Sequence, residues 1–224
     1  MRSGMLRAGW ILLILAELTV QGHAASYSWS GAQVIPDNSA VGIAYSFTLS
    51  DPGVSISSVS VALTLDGGWS GDWYAYLSHG AGTAVLLNRP GVQSDRPDGY
   101  GGSGLNVTLA SGAGSDIHFY QELSGPWAAD GRSLDPFSPA GAFDAAPRDR
   151  TLDVFSGLDP NGDWTLFLTD CSGGGIATLQ GWTVTVAAVP EPGTLALLVT
   201  GALVLAAARR RVRRPRPAGF TLGR

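Results

Sequence analysis

The chain has 224 residues, a formal charge of −4 and one cysteine, Cys171, which excludes an intramolecular disulfide. Nine of its fourteen arginines lie in the terminal segments, so Ala25 to Val189 carries sixteen acids against Arg89, Arg96, Arg132, Arg148 and Arg150, a net of −11 without a lysine. Such a surface repels nucleic acid and anionic lipid and favours divalent cations.

At the N terminus, Arg2 and Arg7 precede an apolar run from Trp10 to Val20 that Glu17 interrupts. Gly22-His23-Ala24 puts small residues where a signal peptidase reads, so residues 1–24 are expected to be a signal peptide cut after Ala24. A retained N-terminal anchor is the alternative. About 165 residues then remain before the tail, enough to bury a core without a disulfide.

The middle, 25–189, reads as one all-β domain of the sandwich or jelly-roll kind. Val41, Ile43, Tyr45, Phe47 and Leu49 alternate with small or polar residues, the period of a half-buried strand. Asp51-Pro52-Gly53 marks a turn. Val59 to Leu65, Trp73 to Leu77 and Ala84 to Leu87 continue the pattern. Later strands are expected at Leu105–Leu109, Ile117–Gln121, Leu152–Phe155, Trp164–Thr169 and Trp182–Ala187. Nowhere does a stripe of period 3.6 interrupt them. The indoles of Trp164 and Trp182 should face the core.

Two segments carry a resemblance. Gly71-Asp72-Trp73-Tyr74-Ala75-Tyr76-Leu77-Ser78 ends in a turn at Gly82-Thr83. Downstream, Asn161-Gly162-Asp163-Trp164-Thr165-Leu166 leads through Thr169-Asp170 and Gly173-Gly174-Gly175 to Gly181-Trp182-Thr183-Val184. This order resembles the P domain, or Homo B domain, over roughly Ile56 to Val186. His79 after Ser78 departs from the family's usual Ser-Pro. The resemblance implies a β-sandwich that accompanies a subtilisin-like serine peptidase, although no catalytic domain lies in this chain.

Chemistry is sparsely marked. His79, in a turn, reads as a surface residue, and His118 as one that packs or caps. Neither belongs to a nucleophile or metal motif. Cys171 reads as a partly buried small residue. Asp66, Asp72 and Asp170, at strand ends, are candidate oxygen ligands for a structural Ca2+, which takes six to eight oxygens. Fold maintenance is the alternative role for all three. Trp69, Trp73, Tyr74, Tyr76 and Tyr100 are candidates for stacking on sugar rings, with Trp127 the best isolated one.

The tail, 190–224, is the most specific part. Val189-Pro190-Glu191-Pro192-Gly193-Thr194 cannot continue as helix, and no charge follows until Arg209-Arg210-Arg211, with further arginines to Arg216. Thr194 to Ala208 would form about 22 Å of helix, short of the ~30 Å hydrocarbon core, a deficit that snorkelling arginines and local thinning can cover. The arginines should stay cytoplasmic as a stop-transfer signal. This order resembles the PEP-CTERM sorting signal of Gram-negative bacteria. It implies export by way of signal peptidase, a membrane-anchored precursor, recognition by an exosortase, and delivery to the cell envelope, outer surface or extracellular matrix. The sequence therefore points to a non-catalytic surface protein, structural or adhesive, with extracellular polysaccharide as a candidate partner. A carbohydrate-binding module and an accessory domain of a serine peptidase system are the alternatives.

Overall fold

A computed structural model of the chain describes residues 23–50, 54–120, 126–190 and 200–205. Nine strands are described: β1 (His23–Ile35), β2 (Ile43–Leu49), β3 (Val54–Gly67), β4 (Trp73–His79), β5 (Gly82–Asn88), β6 (Leu105–Ala110), β7 (Pro126–Trp127), β8 (Gly162–Asp170) and β9 (Ala177–Pro190). They form a five-stranded sheet in the order β1-β9-β3-β6-β7 and a four-stranded sheet in the order β2-β8-β4-β5. All pairings are antiparallel except β6 with β7. The class is all-β, as the alternation predicts.

One face of each sheet supplies the core. Val59, Val61, Leu63 and Leu65 of β3 meet Val184 and Trp182 of β9 on one side, and Trp73, Ala75, Leu77, Trp164, Leu166 and Leu168 of the other sheet opposite. Trp164 and Trp182 are both buried. Trp164 Nε1 donates to the Pro160 carbonyl (3.0 Å), while the Trp182 indole N–H is buried without a partner.

Six expectations need correction, the first being Val41, which is exposed and precedes the start of β2. Ile117–Phe119 and Leu152–Phe155 are 3-10 turns, not strands. Their apolar residues still reach the core, because a 3-10 turn brings residues three apart onto one side. Ile117 is buried, as are Leu152 and Phe155. His79 is 4% exposed and stacks on Trp164 at 4.0 Å, so it is a core residue rather than a surface one. Trp127 is 4% exposed and edge-on to Tyr120, which removes it as a sugar platform, and Trp73 is buried too.

The sequence reading places no strand where β1 lies. Tyr27 and Trp29 alternate there with exposed serines and pack on Phe47 and Tyr45 of β2. The Asp51-Pro52-Gly53 turn lies outside the described residues.

Candidate functional site

The sorting segment begins inside the sheet. β9 is flanked by β1 and β3, with Ala188 opposite both His23 and Ile56. Val189 and Pro190 continue the ladder opposite Ser55 and Val54. Val189 is exposed. Proline has no N–H to donate, so Pro190 suits the last position of a strand. Glu191, Pro192, Gly193 and Thr194 lie outside the described residues, as do Arg209, Arg210 and Arg211. Residues 200–205 are helical, with Leu203, Val204 and Leu205 exposed. Among the described residues, no helix is long and apolar enough to cross a membrane.

At the opposite end of β9 two of the three candidate metal ligands come together. Trp73 pairs with Asp170, and the Cys171 N–H donates to the Asp72 carbonyl, which brings the two aspartates side by side. Arg89 Nη2 lies 3.8 Å from Asp72 Oδ1. Ser172 N–H donates to Asp170 Oδ1 (3.2 Å), and Asp170 Oδ2 is buried without a partner. Burial pushes the Asp170 carboxyl up to about 6, helped by Asp72 and Asp37 and opposed by the Ser172 N–H. It also raises Asp72 against the pull of Arg89.

Asp66 is exposed near the end of β3, opposite Thr178 of β9. Among the described residues, no three His, Cys, Asp or Glu side chains gather to hold a metal ion. The Cys171 thiol is pushed by burial up to about 12. At neutral pH it is protonated, unlike a nucleophilic thiolate.

A second charged cluster went unmarked in the sequence reading. His118 Nδ1 lies 2.8 Å from Asp130 Oδ2, and its Nε2 lies 3.0 Å from the Val92 carbonyl. Arg132 Nη1 donates to Asp116 Oδ2 (3.0 Å) and Asp130 Oδ1 (3.1 Å). Arg148 donates from Nε to the Asp130 carbonyl and from Nη2 to that of Ala129. His118 and Asp130 are fully buried. The His–Asp pair has the look of a catalytic dyad, but the second ring nitrogen faces a main-chain carbonyl where a nucleophile's hydroxyl would stand. His79 is similar, with its nitrogens 3.0 and 2.6 Å from the carbonyls of Asp163 and Asp159. His79 fastens the chain before and at the start of β8 to β4, and His118 ties the 3-10 turn at Ile117–Phe119 to the loops at Val92 and Asp130. Charges this deep are costly unless paired and hydrogen-bonded. Only spatial proximity reveals the whole network, since its links reach across as many as 32 residues, from Asp116 to Arg148.

Two open clefts lie on the surface of the described residues. One, of about 400 Å³, is lined by Tyr74, Thr83, Val85, Ser133, Leu134, Asp135, Pro136 and Arg150. The other, of about 390 Å³, is lined by Ser70, Arg96, Tyr100, Gly101, Gly102, Gly104 and Tyr120. Trp69 is 48% exposed. Tyr76 stacks on Phe167 at 4.9 Å on the outer face of the four-stranded sheet.

The chain is similar in shape to a chain of the complex between the Aeromonas sobria serine protease and its chaperone. Identity is 12% and the TM-score 0.45, over 76% of this chain and 28% of that one. It is also similar to the Aeromonas sobria serine protease itself, at 13% identity and a TM-score of 0.43, over 75% and 27%. The chain thus spans less than a third of the length of either. No curated protein matches it. Residues 188–211, which begin within β9, match the family model of the PEP-CTERM protein-sorting motif, so this segment is a PEP-CTERM sorting motif.

Proposed function

We propose that this is an exported, exosortase-sorted protein of the cell envelope or extracellular matrix, whose β-sandwich is of the P-domain kind and serves a structural or adhesive role without catalysis. The observation that carries the reading is the match at 188–211, beginning at the final strand of the folded unit. Signal peptidase would remove residues 1–24 and exosortase would act at Val189–Thr194, with Arg209–Arg211 holding the precursor in the membrane. The absence of catalysis is supported by the closed surroundings of His79, His118 and Cys171, none of which is presented to a substrate. The P-domain assignment is supported by the order of its sequence motifs, above all Asn161-Gly162-Asp163-Trp164.

The test is processing in a host that carries an exosortase. Replacing Pro190, Glu191 and Pro192 together by alanine should accumulate a membrane-bound, uncleaved precursor on immunoblots of fractionated cells. A variant matured and released like the parent would overturn the sorting reading. The glycan-binding alternative is favoured by one observation of its own, the cleft beside Tyr100.

A further inference from the structure

The cleft lined by Ser70, Arg96, Tyr100, Gly102 and Tyr120 is built around one cation. Arg96 lies over the ring of Tyr100, with its guanidinium carbon 4.7 Å from the centroid. The other support of that ring is Gly91, at φ +84°, where any Cβ would stand 2.5 Å from Tyr100 Cδ2. The tyrosine is therefore wedged against backbone, and it orients the arginine by cation–π stacking. Ser70 Oγ donates to the Tyr100 carbonyl (2.9 Å) and fixes the residue from the main-chain side.

In a domain so rich in aspartate, the ionic partners of the arginines are informative. Arg89, Arg132 and Arg148 each lie within ion-pair distance of an aspartate. Arg150 shares its groove with Asp135. Among the described residues, no carboxylate lies at ion-pair distance from Arg96 and none lines its cleft. Asp95 and Asp98, its neighbours in sequence, are exposed.

The glycines on the cleft wall add an independent observation. A Cβ at Gly101 would meet nothing within 4 Å, and one at Gly102 would meet only Ser70 Oγ, at an ordinary 3.5 Å. Neither has the positive φ that excludes other residues. Packing does not require glycine at either position, and both residues line the cleft.

From this geometry we infer that the cleft binds an acidic saccharide, with Arg96 holding the carboxylate of a uronate unit and the Tyr120 side of the cleft receiving the sugar ring. A guanidinium presents paired donors that match a carboxylate. A volume near 390 Å³ suits one or two sugar rings. The inference deepens the adhesive reading and rests on it for its extracellular setting. Its failure would leave the processing experiment untouched.

The full-length chain, purified in mild detergent, is applied to an array of uronate oligomers of several linkages, each printed beside its carboxyl-reduced neutral twin. At least one uronate oligomer should be retained at least tenfold more strongly than its twin. Arg96→Gln and Gly102→Leu should each weaken that binding at least tenfold, while the melting midpoint stays that of the parent. Inorganic phosphate at equal concentration should not displace the oligomer. Retention of no uronate, equal retention of the neutral twin, unchanged binding by either folded variant, or displacement by phosphate would overturn the assignment.

Discussion

Asp170 shows how one residue can work against the fold that holds it. Its Oδ2 is buried without a partner, and its carboxyl is raised from 3.8 to about 6. The folded chain thus keeps this proton to a higher pH than the unfolded chain does. Stability contributed by the protonated group is complete below about pH 4, falls as the pH rises toward 6, and stays lost above that. Asp170→Asn retains an acceptor for the Ser172 N–H and removes the charge. It should be more stable than the parent at pH 7, and the gap between the two should open between pH 4 and 6. Urea midpoints across that range check this, and parallel profiles would defeat it. The sequence offers Asp72 and Asp170, 98 positions apart, as ligands of one ion without fixing how they meet. Only the register of β4 on β8 brings them together. Their residue type was legible; their shared burial was not.

Among the elements, the strands were legible where alternation is clean. β2, β3, β4 and β8 expose and bury residues in turn, because each has one face on the core and the other on solvent. The errors have a common cause. In Ile117-His118-Phe119 and Leu152-Asp153-Val154-Phe155 the apolar residues are too few to separate a period of two from one of three. β1 escaped because only Tyr27 and Trp29 alternate with serines before Gly31 breaks the period, too short a run to mark a strand. β8 is the element most exposed to a single truncation, since Trp164 touches Phe47, His79 and Phe155. Trp164→Ala should cost about 3–5 kcal/mol in chemical unfolding, the range for a large core aromatic. A loss below 1 kcal/mol would show that the ring is not part of this core.

For the whole molecule, the uneven distribution of charge matters more than its sum. The region between the terminal segments carries the −11, while the facing strands of the five-stranded sheet present Ser26, Ser28, Thr183, Thr185 and Ser60 in paired rows. Ser26 and Ser28 bond the hydroxyls of Thr185 and Thr183 at 2.9 and 2.8 Å. Self-repulsion among the acids should therefore be relieved by screening. The melting midpoint should rise on going from low salt to about 0.5 M NaCl, an ionic strength at which the Debye length is below the ~8 Å of physiological salt. At matched ionic strength, a further rise with Ca2+ but not with Mg2+ would mark a specific calcium site at Asp72 and Asp170. A midpoint indifferent to salt would refute the repulsion. The sorting motif was the most legible feature, because its recognition is linear. The cleft at Arg96 was not, since it needs Ser70 and Tyr120 brought to Tyr100 across fifty residues of chain.

The position of β9 also has a mechanical consequence. While the precursor is anchored, any pull from the membrane enters the domain through Pro190, at the end of a strand clamped between β1 and β3. A force along that strand loads both hydrogen-bond ladders in shear, so many bonds must yield together. An attachment through an edge strand pulled sideways would instead open like a zipper, one bond at a time. The domain is therefore held to its tether by the strand best placed to resist extraction.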